Sequence, residues 1–159
     1  MSGIIGRAGS RSGVIPYGEI EYEEGTWTVT ASMSTSGSVS LATYVTGGYT
    51  KIGRTVHIHG FIKIGSVSSP VGALKFSLPF ACVSGLPGIA SRSVISIGTS
   101  SVNFADNIHI ISRGTAPFAF AEEGQSNMFV KVSGDNAGSS DITPTGNSYY
   151  YFGGSYSSA

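Results

Sequence analysis

Charge is scarce in this chain, and its two signs cancel. Asp, Glu, Lys and Arg make up 11% of the 159 residues, nine acidic against nine basic, for a formal net charge of zero; an ordinary globular domain is roughly a quarter charged. A nucleic-acid backbone is gripped by a surplus of Lys and Arg that releases counterions, so the balance argues against a nucleic-acid partner. Cysteine is nearly absent. Cys82 stands alone, which excludes a disulfide within the chain and a thiolate zinc site built by one copy. A small buried apolar role is expected for it. No window supplies Leu, Ala, Glu and Lys in helical phase over several turns, and no apolar run approaches the ~20 residues of a membrane-crossing helix. Membrane insertion is not expected, and the opening residues lack the apolar core of a secretory signal.

What is abundant is glycine, 23 residues of it, with serine and threonine filling much of the rest. Against this background one stretch stands out, residues 44–65, YVTGGYTKIGRTVHIHGFIKIG. Val56, Ile58, Gly60, Ile62 and Ile64 fall on one side of an extended chain, and His57, His59, Phe61 and Lys63 on the other. That pattern predicts a strand buried on one face, hence an antiparallel sheet, with Gly47-Gly48 expected as the turn into it.

Shorter strands are predicted on either side. Residues 26–30 read as a first core strand with Trp27 and Val29 inward, preceded by an extended edge segment in which Glu19, Glu21 and Glu23 alternate with Ile20 and Tyr22. Residues 32–40 read as a Ser-rich loop and 65–72 as a loop holding Pro70. Residues 73–78 alternate again, with Leu74, Phe76 and Leu78 inward, and Pro79 ends that strand. Further strands are expected at 94–97, 108–111, 118–120 and 128–132, then a loop over 134–146 and a last strand, Tyr149-Tyr150-Tyr151-Phe152. The tyrosines suit either an oligomer seam or the outer strand of a lone sandwich. On the order of eight to ten short strands imply an all-β domain, sandwich, jelly roll or barrel.

Four of these stretches, in order and spacing, resemble a domain of small tail-fibre and other virion surface proteins of tailed bacteriophages. The family pattern is an acidic YEEGTWTP-like opening, a Tyr-Thr-Lys-Ile/Val-Gly turn, an alternating strand and a Leu-Pro-aromatic ending. The matching residues are 22–28 (YEEGTWT), 49–53 (YTKIG), 56–64, and Leu78-Pro79-Phe80, with Val29 standing where the family usually has Pro. The resemblance implies an antiparallel jelly-roll-like β-sandwich preceded by an extended N-terminal arm. It also implies a homotrimer and a place in the virion after assembly in the host cytoplasm, as a tail-fibre-type or head-decoration protein.

Residues 1–18 differ from the rest, being glycine-rich and free of acids, with Ile4-Ile5 and Val14-Ile15 set around Arg7 and Arg11. Such a peptide buries too little to fold alone. It is either a disordered tail or a docking arm, and the resemblance favours the arm: Ile4, Ile5, Val14 and Ile15 as anchors, Arg7 and Arg11 pairing with carboxylates or carbonyls of other virion proteins. The domain division is then 1–18 and 19–159.

For chemistry there is little. No nucleophile elbow, zinc-protease helix or phosphate-binding loop occurs. The adjacent acids Glu23-Glu24 and Glu122-Glu123 are neighbours that point opposite ways on a strand, not a hydrolytic pair. No enzymatic activity and no cofactor are expected. His57 and His59 lie on one strand face with Cα atoms about 6.6–6.8 Å apart; they read as solvent-side or interface histidines, with an octahedral metal site shared by three copies as the specific alternative. His109 has no partner in sequence. Asp135-Asn136 and Asp141 offer oxygen ligands for calcium, but the better reading is a solvated loop. A host-receptor adhesin, binding a surface glycan or protein, is the alternative function.

Overall fold

The computed structural model describes residues 21–85, 92–101, 117–133, 139–142 and 144–159. The docking residues of the 1–18 arm, the strand expected at 108–111, His109 and Asp135-Asn136 lie outside them. Ten strands are found among the described residues: β1 Tyr22–Trp27, β2 Ala31–Met33, β3 Ser36–Ile52, β4 Thr55–Val71, β5 Leu74–Ser77, β6 Ser93–Ser101, β7 Pro117–Ala121, β8 Asn127–Ser133, β9 Ser139–Asp141 and β10 Ser148–Ser157.

All pairings are antiparallel, in the order β1-β3-β4-β10-β6-β7-β8-β5-β2, with β9 added on β8. The long β3–β4 hairpin explains how a single sheet makes two layers. β3 and β4 meet at a two-residue turn, Gly53-Arg54, where Gly53 has the φ of +58° that such a tight turn requires. At its far end the hairpin bends and continues as β2–β5. Gly72 sits at the bend with φ +85°, and a Cβ there would collide with Ser34 and Thr35. Ser34 stitches the corner: its N–H donates to Ala73 O at 2.8 Å and its hydroxyl accepts from Ala73 N at 2.8 Å. β4 carries β10 and β6 on one layer, while its continuation β5 carries β8 and β7 on the other; β6 pairs β7 and joins them. The sheet is thereby curled into a half-barrel, the all-β antiparallel fold the sequence implies.

The core lies inside the curl. Val56, Ile58, Ile62 and Ile64 of β4 face Leu74 and Phe76 of β5, Ile95 and Ile97 of β6, Ala119 and Ala121 of β7, Met128 and Val130 of β8, and Tyr150, Phe152 and Tyr156 of β10, all buried. Burial of a side chain of this size contributes about 1.5–3 kcal/mol. The expected inward sets of β4 and β5 are found as expected, as are buried Val29, half-buried Trp27 and buried Cys82.

Several expectations are corrected. Gly47-Gly48 is not a turn; it lies within β3, opposite Gly60 and His59. The Ser-rich stretch 32–40 belongs mostly to β2 and β3, broken only at Ser34-Thr35, and 65–71 continues β4. Met33 is buried and Val39 and Val67 pack partly buried against the core, while Ser38, Ser40, Ser66 and Ser68 face solvent, and pairing with the opposite arm of the hairpin keeps the serine-rich stretches extended. Part of the 134–146 loop is β9. The tyrosine strand is neither outer nor an edge: β10 is flanked by β4 and β6 and extends to Ser157.

Candidate functional site

The motif residues that are scattered along the sequence converge at one end of the half-barrel. Trp27 lies across Gly47, where a Cβ would fall within 3.0 Å of three ring atoms. Its indole N–H donates to Ser77 O at 3.3 Å, and its ring stands 5.9 Å from Phe152 and 6.5 Å from Tyr49. Tyr49 meets Phe80 edge-on at 5.1 Å, and the Lys51 ammonium sits 5.0 Å from the same Phe80 ring. The Tyr49 hydroxyl donates to Glu23 at 2.7 Å, passing over Gly25, where a side chain would strike it. That bond raises the Tyr49 pKa, because the nearby carboxylate disfavours a phenolate. The YEEGTW, YTKIG and LPF stretches are thus one packing unit, in which Gly25 leaves room for the Tyr49 ring and the neighbouring Gly47 for the Trp27 ring.

The opposite, outward face of β1-β3-β4-β10 carries an open groove. Register sets Thr26, Gly48, His59 and Gly153 in one row, and Thr46, Phe61 and Tyr151 in the next. With glycine on both sides of His59, the face dips. The His59 ring leans over Gly48, where a Cβ would come 2.6 Å from it. The result is an open groove of about 540 Å³ lined by Thr26, Thr46, Gly48, His59, Phe61 and Tyr151. Tyr151 is 50% exposed. Phe61 is held between Tyr149, stacked at 5.6 Å, and Tyr151 at 5.0 Å, and the Lys63 ammonium lies 5.3 Å from the Tyr149 ring. Flat, mostly apolar aromatic surface without a carboxylate in the lining suits the face of an uncharged ring.

His57 and His59 are both exposed on this face, as alternation predicts. Among the described residues no group of three metal-ligating side chains forms. Glu23 turns to Tyr49 and Glu24 to the Tyr22 hydroxyl at 2.6 Å, on opposite faces of β1. Glu122 pairs with Arg92 at 2.7 Å, and Glu123 accepts from the Gly85 amide. The groove residues Phe61 and Tyr151 were not singled out by sequence. Alternation marks Phe61 as outward-facing, the run of four aromatics at 149–152 gives no such signal for Tyr151, and only the β4–β10 register shows that the two meet.

No family model and no curated protein matches the chain. Among solved structures, it is similar to part of the Dettilon tailspike protein (gp208), with a TM-score of 0.64, 18% identity and 86% of this chain covered. The chain spans 24% of that tailspike. The shared property is the fold.

Proposed function

We propose that this chain is a virion structural protein of a tailed bacteriophage, a trimeric tail-fibre-type or head-decoration protein attached to the particle by residues 1–18. The observation that carries the reading is the correspondence of its β domain with part of a phage tailspike over 86% of the chain. The sequence resemblance to virion surface proteins supports it independently, and its motif residues converge into one packing unit around Trp27, Tyr49 and Phe80. The arm serves as the virion-docking element, with Ile4, Ile5, Val14 and Ile15 as apolar anchors and Arg7 and Arg11 as charge-assisted donors. The role is placement rather than catalysis. Immunolabelling of purified particles with an antibody to the β domain tests it: label at the tail or on the head supports the reading, and particles that lack the protein refute it.

A second reading is favoured by the groove. Phe61, Tyr151 and His59 form a shelf on which a sugar ring of a host-surface glycan can stack, so the protein acts as a receptor-binding adhesin as well as a structural part. A glycan array probed with the full chain separates a plain structural protein, which binds nothing on it, from an adhesin.

A further inference from the structure

Four neighbouring strands of the groove's layer contain no carboxylate. β3, β4, β10 and β6 lie side by side, and neither Asp nor Glu occurs in any of them, although the chain holds nine acids. On the outward face of the flanking β1 the one acid is Glu24, which shares the row of Thr50 and His57 and accepts from the Tyr22 hydroxyl. The groove begins one row further along β4, with His59, and runs away from Glu24 through Phe61.

The next outward residue of β4 after Phe61 is Lys63. Its ammonium lies 5.3 Å from the ring of Tyr149, its partner on β10, and that ring stacks on Phe61 at 5.6 Å. On its other side β3 bulges: Leu41 pairs Ile64 and Val45 pairs Ile62, so no β3 residue is in register with Lys63. Lys63 is half-buried and makes no ion pair with a described residue. The contact with Tyr149 therefore holds the ammonium at the end of the aromatic row without cancelling its charge. Further along, the same face carries hydroxyls, the exposed pairs Ser40 with Ser66 and Ser38 with Ser68.

We infer that the ligand of the groove is an acidic glycan, with a sugar ring lying on Phe61 and Tyr151 and a carboxylate of that sugar or its neighbour on the Lys63 ammonium. The inference rests on the adhesin reading proposed above and adds the charge of the sugar to it. Phe61 and Lys63 are two residues apart on one strand face, about 6.6–6.8 Å between Cα atoms, so a single ligand spans both. The face of a uronic sugar is uncharged and suits the rings, while the carboxylate projects from its edge, where an ammonium makes a charge-assisted bond to it. An acid-free layer sets no like charge against such a ligand. A neutral glycan would leave Lys63 unused.

A glycan array holding alginate, polygalacturonate and sialylated members beside neutral ones, probed with the full chain, tests this. Acidic members should be retained, and the carboxyl-reduced form of a retained member should bind more weakly by on the order of tenfold. Lys63→Gln keeps the length of the side chain and drops the charge; it should lower affinity for the acidic member by a similar factor and remove the weakening that salt causes in the wild type. Lys75→Gln takes an equal charge from the other layer, where Lys75 lies 5.9 Å from the Phe129 ring, and should leave binding unchanged. Circular dichroism checks that both variants fold. Retention of neutral members alone, wild-type affinity in Lys63→Gln, or an equal loss in Lys75→Gln overturns the acidic ligand and spares the groove as a glycan site. An array that retains nothing overturns both.

Discussion

Tyr156 is tied to Phe80 through one hydroxyl, which donates to the Phe80 carbonyl at 2.9 Å and accepts from the Phe80 amide at 3.2 Å. The pair joins the last strand to the segment that follows β5. Beside it, Val83 N donates to Ser157 O at 2.8 Å, and Ser158 N donates to Arg54 O at 2.7 Å. The final residues of the chain are therefore sewn to the same end of the half-barrel as Trp27 and Tyr49.

Tyr156→Phe keeps the ring and removes both bonds, leaving two backbone groups of Phe80 to find other partners. The expected cost is about 1–3 kcal/mol. At about 2–4 °C per kcal/mol for a chain of this size, a thermal melt resolves it. An unchanged midpoint would mean that the clasp contributes nothing.

Alkaline pH should act at the same place. Burial raises the pKa of Tyr150 and Tyr156 above the usual 10.0, partly offset by bonds to Ser148 and to Phe80 respectively. The fold thus favours the protonated phenols. Their contribution is fully present below pH 10.0, the unfolded value, and is lost as pH rises from there through the folded values. Melting midpoints should fall above about pH 10, with a late step in phenolate absorbance that coincides with unfolding. Full ionisation of all tyrosines in a still-folded protein would contradict this.

Gly47→Ala should destabilise by about 1–3 kcal/mol, because the methyl group meets the Trp27 ring and one of them must move. Trp27→Leu in the same chain removes the obstacle. The double variant should then lose less than the sum of the singles, a coupling of about 0.5–3 kcal/mol by denaturant titration. Strict additivity would show that the ring and the glycine are not in conflict.

If the groove binds a glycan, Tyr151→Ala should abolish binding to whichever array member the wild type retains while the chain stays folded, with the melting midpoint lowered only by the loss of the Phe61 contact, about 0.5–1.5 kcal/mol, and of the buried half of the ring. Thr145→Ala, outside the groove lining, should leave binding intact. Equal retention by the wild type and Tyr151→Ala would remove the groove from the account.

Much of the fold was legible because Val56, Ile58, Ile62 and Ile64 bury one face so consistently that only a strand explains them. The same logic placed Leu74, Phe76 and Leu78. It failed at Gly47-Gly48, since a glycine that makes room for an indole looks, in sequence, like a glycine that turns the chain. It failed also over 32–40 and 65–72, where Ser38, Ser40, Ser66 and Ser68 face water and no hydrophobic period marks a strand; Ser40 and Ser66 meet across the hairpin at 2.7 Å. The interior position of β10 was hidden because its neighbours, β4 and β6, are remote in sequence. The groove was hidden for the same reason: Phe61 and Tyr151 become one surface only through that pairing.

The central claim is that the chain works by being attached to a particle through its leader. Deleting residues 1–18 and complementing a phage that lacks the wild-type gene with the truncated form tests it most directly. The account predicts a folded domain, by circular dichroism and melting, that is missing from purified particles. Truncated protein incorporated at the wild-type level would contradict it.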